Sequence, residues 1–109
     1  MLVSRDSPVK KYAITLLGLV LAAPAMGQVP SFREGKITRI WADPSDMVVQ
    51  LDGTGPCGSD LFHILRSATN FDQMTALMMT AAAAGRPVNL YVTGCDGERN
   101  IISHGAAGF

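Results

Sequence analysis

The sequence lacks the residue arrangements on which most metal sites and hydrolases are built. Its two cysteines, Cys57 and Cys95, do not form a Cys-x-x-Cys pair, and neither has a second thiol or a histidine pair at zinc spacing. Redox-motif and zinc-site readings are therefore poor. No Gly-x-Ser-x-Gly elbow surrounds a serine. The glycine-rich stretch from Gly53 to Gly58 has neither the Gly-Lys-Ser/Thr ending nor the immediate helix of a phosphate cradle. Ser59, Asp60 and His63 lie close together, but closeness in sequence is not triad geometry. His63 and His104 are the only histidines, and no paired base accompanies either, so the expectation is a non-catalytic protein without a cofactor or metal. Repeats, coiled-coil heptads and low-complexity blocks are absent as well.

A hydrophobic run long enough to span a bilayer is also missing. Tyr12 to Ala22 is apolar but shorter than the roughly 18 to 20 residues a spanning helix needs. It follows the basic Lys10 and Lys11 and precedes small residues at Ala23, Ala25 and Gly27, which is the grammar of a secretory signal peptide. The expected division is a leader over residues 1–27, an exposed arm over 28–34 that contains Pro30, and one domain over 35–109. No cysteine stands near the cleavage region, which argues against a lipid anchor. A periplasmic or secreted protein without a membrane span after cleavage is the resulting expectation.

Excess positive charge is absent from the exported part. From Gln28 onward six basic residues face eight acidic ones, so the formal neutrality of the whole chain hides a slightly acidic domain. A polyanion partner would favour a basic face, and nucleic acid is therefore disfavoured. In an oxidising compartment Cys57 and Cys95 are most economically paired. The closed loop would hold roughly forty residues, for which chain entropy suggests about 4 kcal/mol. In a domain this small, whose core supplies only a few kcal/mol, such a crosslink could decide stability.

What is present is best seen from Asn70 to Cys95. Phe71, Met74, Leu77, Met78 and Ala81 recur at helical spacing and predict a core-facing stripe. Asn70 can cap the start, with Gln73 in the position of a capping-box partner. Gly85 and Pro87 close the helix near Ala84. Val88, Leu90 and Val92 then alternate with Asn89, Tyr91 and Thr93, as in a strand with one buried face.

Upstream, Gly35 to Ala42 and Asp46 to Asp52 read as strands joined by the turn Asp43-Pro44-Ser45-Asp46. The alternation in the first strand does not settle whether Ile37 and Trp41 or Ile40 and Ala42 face inward. Leu61 to Leu65 is a short third strand and Ile101 to His104 a fifth, after the polar turn Asp96 to Asn100. Three strands, a helix and two strands is the order of the OB-fold, a small five-stranded barrel. A ferredoxin-like fold or an open α+β sheet would follow from one miscounted element.

Several stretches resemble small secreted bacterial proteins related to the B subunits of subtilase-cytotoxin and pertussis-like toxins. They are Gly35 to Ile40, Cys57-Gly58, Asn70-Phe71 with the apolar helix, Gly85-Arg86-Pro87-Val88 leading into Leu90-Tyr91-Val92, and Cys95. The resemblance implies an OB-fold, often assembled as a homo-oligomeric ring, which in the toxins binds glycans; a partner protein in place of a glycan is the alternative expectation. It assigns no sugar-contacting residue to this chain. Trp41 and Tyr91 are the aromatics best placed for stacking on a ligand, although packing in the barrel wall is the commoner use of such side chains. Opposite the helical core stripe lie Ala76, Met79 and Ala83, which makes that side a candidate subunit interface. An alanine-rich exposed helix would carry the same pattern.

Overall fold

The computed structural model describes residues 28–109; the expected leader lies outside them. Five strands and one helix follow in the order anticipated: β1 (Ser31–Ala42), β2 (Asp46–Leu51), β3 (Leu61–Leu65), α1 (Phe71–Ala84), β4 (Pro87–Asp96) and β5 (Arg99–Ala107). The strands close into a barrel in the spatial order β1-β2-β3-β5-β4.

The first strand is longer than the sequence pattern suggests. It starts at Ser31, so the last four residues of the expected arm, 31–34, are paired with β4 from Ser31↔Val92 to Glu34↔Asn89. A strand that must pair with β4 through its first half and with β2 through its second needs this length. The isolated segment gives little sign of it, because one of its faces is water-exposed and carries an aromatic, Phe32. Both of the last two strands likewise outrun their expected lengths.

A bulge resolves the ambiguity of β1. Its register on β2 passes from Ile37↔Leu51 to Arg39↔Gln50, so two steps on β1 oppose one on β2. Such an extra residue reverses the facing of everything beyond it. Ile37 and Ile40 consequently both pack against the core, while Arg39 is exposed and Trp41 half-buried.

The core is filled by Met47, Val49 and Leu51 from β2, Phe62 and Ile64 from β3, Val88, Leu90 and Val92 from β4, and Ile102 from β5. Met74, Met78 and Ala81 complete it from α1, with Phe71 and Leu77 partly buried beside them. Met79, Ala76 and Ala83 lie on the water-exposed side, Met79 being 58% exposed. The helical stripe thus has the anticipated phase.

The two helix ends differ from each other. Gly85 takes the left-handed conformation at φ 65°, its N–H donates to Ala82 O, and the Arg86 N–H donates to Ala81 O. These two bonds make a Schellman ending, which favours glycine because a Cβ is costly at that φ. The expected capping box does not form: the Asn70 side chain makes no cap bond, and its Nδ2 instead donates to Ser103 O at 2.9 Å. The amide ties the helix entrance to β5, a tertiary use that outcompetes the local one.

The loop between β2 and β3 is held by a disulfide and by a buried amide. Cys57 and Cys95 are bonded with their Cα atoms 5.5 Å apart. Asn100 is fully buried; its Oδ1 accepts from the Cys57 N–H at 2.8 Å, and its Nδ2 donates to Ser59 O and Leu61 O, each at 2.8 Å. Gly55 lies against this amide, and a Cβ there would come within 2.5 Å of Oδ1. Every donor and acceptor bond of the Asn100 side chain therefore goes into fixing the loop, which is what makes a buried amide tolerable.

Candidate ligand-binding surfaces

Alternation along the strands sends every second side chain outward, and two outward surfaces carry chemistry. The first spans β1, β2 and β3. Trp41 lies opposite Val48, Val48 opposite His63, and His63 opposite Ile101 of β5. A cavity of about 290 Å³ is lined by Trp41, Asp43, Val48, Leu61 and His63. The guanidinium of Arg39 lies over the Trp41 ring, 5.2 Å from its centroid.

Beside this cavity sits a polar cluster built on the buried Asp46 and His63. Asp46 is 2% exposed, and its Oδ2 lies 2.8 Å from both His63 Nδ1 and Arg99 Nη2. Arg99 Nε points to His63 Nε2 at 3.4 Å. Asp46 Oδ2 accepts from the Arg99 guanidinium, which also lies 3.1 Å from His63 Nδ1. Arg99 Nη1 also reaches Asp96 Oδ2 at 3.3 Å. One carboxylate, one imidazole and one guanidinium thus satisfy each other, joining β2, β3 and β5.

The serine, aspartate and histidine that lie close in sequence do not converge. Ser59 Oγ accepts from the Leu61 N–H, Asp60 Oδ2 accepts from Gln50 Nε2 at 2.8 Å, and His63 is engaged with Asp46. Among the described residues, no group of three or more His, Cys, Asp or Glu side chains is gathered as for a metal ion.

The second surface spans β1, β4 and β5. Phe32 lies opposite Tyr91, and Tyr91 opposite His104, so three rings form one row across three strands. Ring centroids are 4.7 Å apart for Phe32 and Tyr91 and 4.5 Å for Tyr91 and His104; Phe32 and His104 meet nearly edge-on at 6.0 Å. Phe32 is 54% exposed, although it is among the most apolar side chains of the domain. The next outward row, two residues along each strand, is Glu34, Asn89 and Ala106. Glu34 and Asn89 border an open cavity of about 430 Å³ that also includes Arg86.

The two aromatics singled out from the sequence therefore belong to different surfaces. Trp41 borders the cavity at His63, whereas Tyr91 is the centre of the aromatic row. Phe32 lies before the segment whose pattern reads as the first strand, and His104, though inside the expected fifth strand, gains a role only when pairing sets it beside Tyr91. The two-residue alternation of Phe32, Glu34 and Lys36 against Ser31, Arg33 and Gly35 was the available signal. Asp46 reads locally as a turn and strand-start residue, and Arg99 and Asn100 as parts of a polar turn, whereas the structure places Arg99 and Asn100 in β5 and gives all three tertiary partners. Arg99 and Asp46 are 53 positions apart, and no local pattern announces such a pair.

Compared with known protein families and with characterised proteins, the chain matches none of them by sequence.

Proposed function

We propose that this chain is an exported, non-catalytic binding module of the OB type, and that it holds a glycan on the outer wall formed by β1, β4 and β5. The observation that carries this reading is the exposed row Phe32–Tyr91–His104. Apolar C–H faces of a pyranose are attracted to the negative faces of aromatic rings, and rings fixed on paired strands lose little freedom on binding. Glu34 and Asn89 in the adjacent row supply acceptors and donors for sugar hydroxyls. A disulfide between Cys57 and Cys95 fits an oxidising compartment, periplasmic or extracellular. The likeness to toxin B subunits favours the same ligand class and a homo-oligomeric ring.

A glycan array probed with the purified protein and with its Tyr91→Ala variant tests the assignment. Retention of specific glycans by the parent, and their loss from the folded variant, is the expected result. An array on which parent and variant give the same pattern contradicts it.

The second reading is a structural or interaction protein without a small ligand, and one feature favours it. Met79 projects from α1 at 58% exposure between the exposed Ala76 and Ala83, a surface that a second copy of the chain could cover. Met79→Glu would desolvate a carboxylate in such a contact. This reading expects the variant to stay folded but to elute as a smaller species; an unchanged elution volume removes it.

A further inference from the structure

A further cavity lies where β3 and β5 part company. These strands pair in parallel only through Phe62↔Asn100 and His63↔Ile101. Beyond that point they diverge, and the segment leading into α1 spans the gap, fastened by the bond from Asn70 Nδ2 to Ser103 O. A groove of about 510 Å³ results, whose walls include Leu65, Ser67, Thr69, Ser103 and His104.

Two properties of this groove bear on what it can hold. Its polar lining residues are Ser67, Thr69, Asn70, Thr93, Ser103 and His104; Asn70 Nδ2 donates to Ser103 O, Thr93 Oγ1 to Ile101 O, and Ser103 Oγ meets His104 Nδ1, so Ser67 and Thr69 are the hydroxyls best placed for a ligand. Its apolar lining is Leu65, Ala68, Ile101 and Ile102, and no Lys, Arg, Asp or Glu contributes. A ligand carboxylate or phosphate placed there would give up water without meeting a cation, which is unfavourable. Neutral hydroxyls would find partners of both kinds.

The second property is continuity. His104 is both the last ring of the aromatic row and a wall of the groove. Thr93, which also lines the groove, follows Tyr91 on the outward side of β4. The aromatic row and the groove are thus two parts of one track along the barrel wall.

Resting on the glycan reading above, we infer that the ligand is an extended, uncharged oligosaccharide, with one sugar stacked on Phe32, Tyr91 and His104 and the next lodged in the groove beyond His104. The groove adds contacts only for a ligand long enough to cross His104. A single sugar uses the aromatic row alone, and a sialylated end is disfavoured inside the groove.

Calorimetric titration with two neutral ladders tests this inference. One runs from galactose through lactose to lacto-N-tetraose, the other from N-acetylglucosamine to its tetramer, with sialyllactose as the charged counterpart of lactose. Affinity should rise at least about tenfold with length in one neutral ladder. Sialyllactose should bind no more tightly than lactose.

Ser67→Trp, at an exposed loop position, should fill the groove and flatten that dependence without changing the circular dichroism spectrum. Phe32→Ala should instead weaken every member of the ladder. If sugars bind with no length dependence, if sialyllactose binds more tightly than lactose, or if Ser67→Trp leaves the length dependence intact, the groove assignment is wrong and the aromatic row stands alone. Absence of binding by all of these sugars overturns the inference together with the glycan reading beneath it.

Discussion

The two outward surfaces of the barrel use their side chains in opposite ways. On the β1–β2–β3 side nearly every strong group already has a partner within the chain: Arg39 lies over Trp41, and Asp46 is bonded by His63 and Arg99. On the β1–β4–β5 side Phe32, Tyr91 and His104 meet chiefly one another, and Phe32 stays more than half exposed. A surface whose polar groups are spent on holding strands together gains little by exchanging those bonds for a ligand's. Exposed rings on fixed strands have apolar area still to bury, at roughly 25 cal/mol per Å². The first surface therefore reads as architecture and the second as recognition, although the only tryptophan belongs to the first.

Substitutions that should separate the two surfaces span a range of effects. Replacing both cysteines, Cys57→Ser with Cys95→Ser, frees the loop on one side from β4 on the other. The loss expected from chain entropy is about 4 kcal/mol, read from the urea midpoint. Arg99→Ala removes a 46% exposed guanidinium from a carboxylate that is 2% exposed and keeps His63 as a partner, so solvent screening limits the expected destabilisation to about 1 to 2 kcal/mol. Sugar binding by the folded fraction should be unchanged, which would place this cluster with the architecture.

Phe32→Ala should do the reverse. Losing the contact with Tyr91 costs about 1 kcal/mol of stability, while glycan affinity falls at least about tenfold. Met79→Glu lies on neither surface and should leave the urea midpoint within about 0.5 kcal/mol of the parent. Its effect is confined to oligomeric mass, so a change there would locate self-association on α1 without touching either barrel surface.

How much of this was legible in the sequence depends on how local each signal is. Helical periodicity placed Met74, Met78 and Ala81 inside and Met79 outside, and Gly85 marked the stop, since all of these are set within one or two turns. The order of elements and the pairing of two cysteines were readable for similar reasons. Asn70 misled because its amide serves β5, a partner more than thirty residues away. The bulge near Ile37 erased the alternation that would have oriented Trp41. Phe32 escaped notice because an outward aromatic in a half-exposed strand acquires meaning only when Tyr91 and His104 are set beside it by pairing. The Asp46–His63–Arg99 cluster is likewise a product of closure, assembled from β2, β3 and β5.

Amide-shift mapping of the uniformly labelled protein during titration with lacto-N-tetraose and with the N-acetylglucosamine tetramer compares the two surfaces in one experiment. For at least one of them, the account predicts saturable shifts at Phe32, Tyr91 and His104, continuing into Thr93 and Ser103, with the amides of Trp41 and Val48 and the indole N–H of Trp41 unmoved. Shifts centred instead on Trp41, Val48 and His63, with the aromatic row silent, would contradict it and move recognition to the β1–β2–β3 surface.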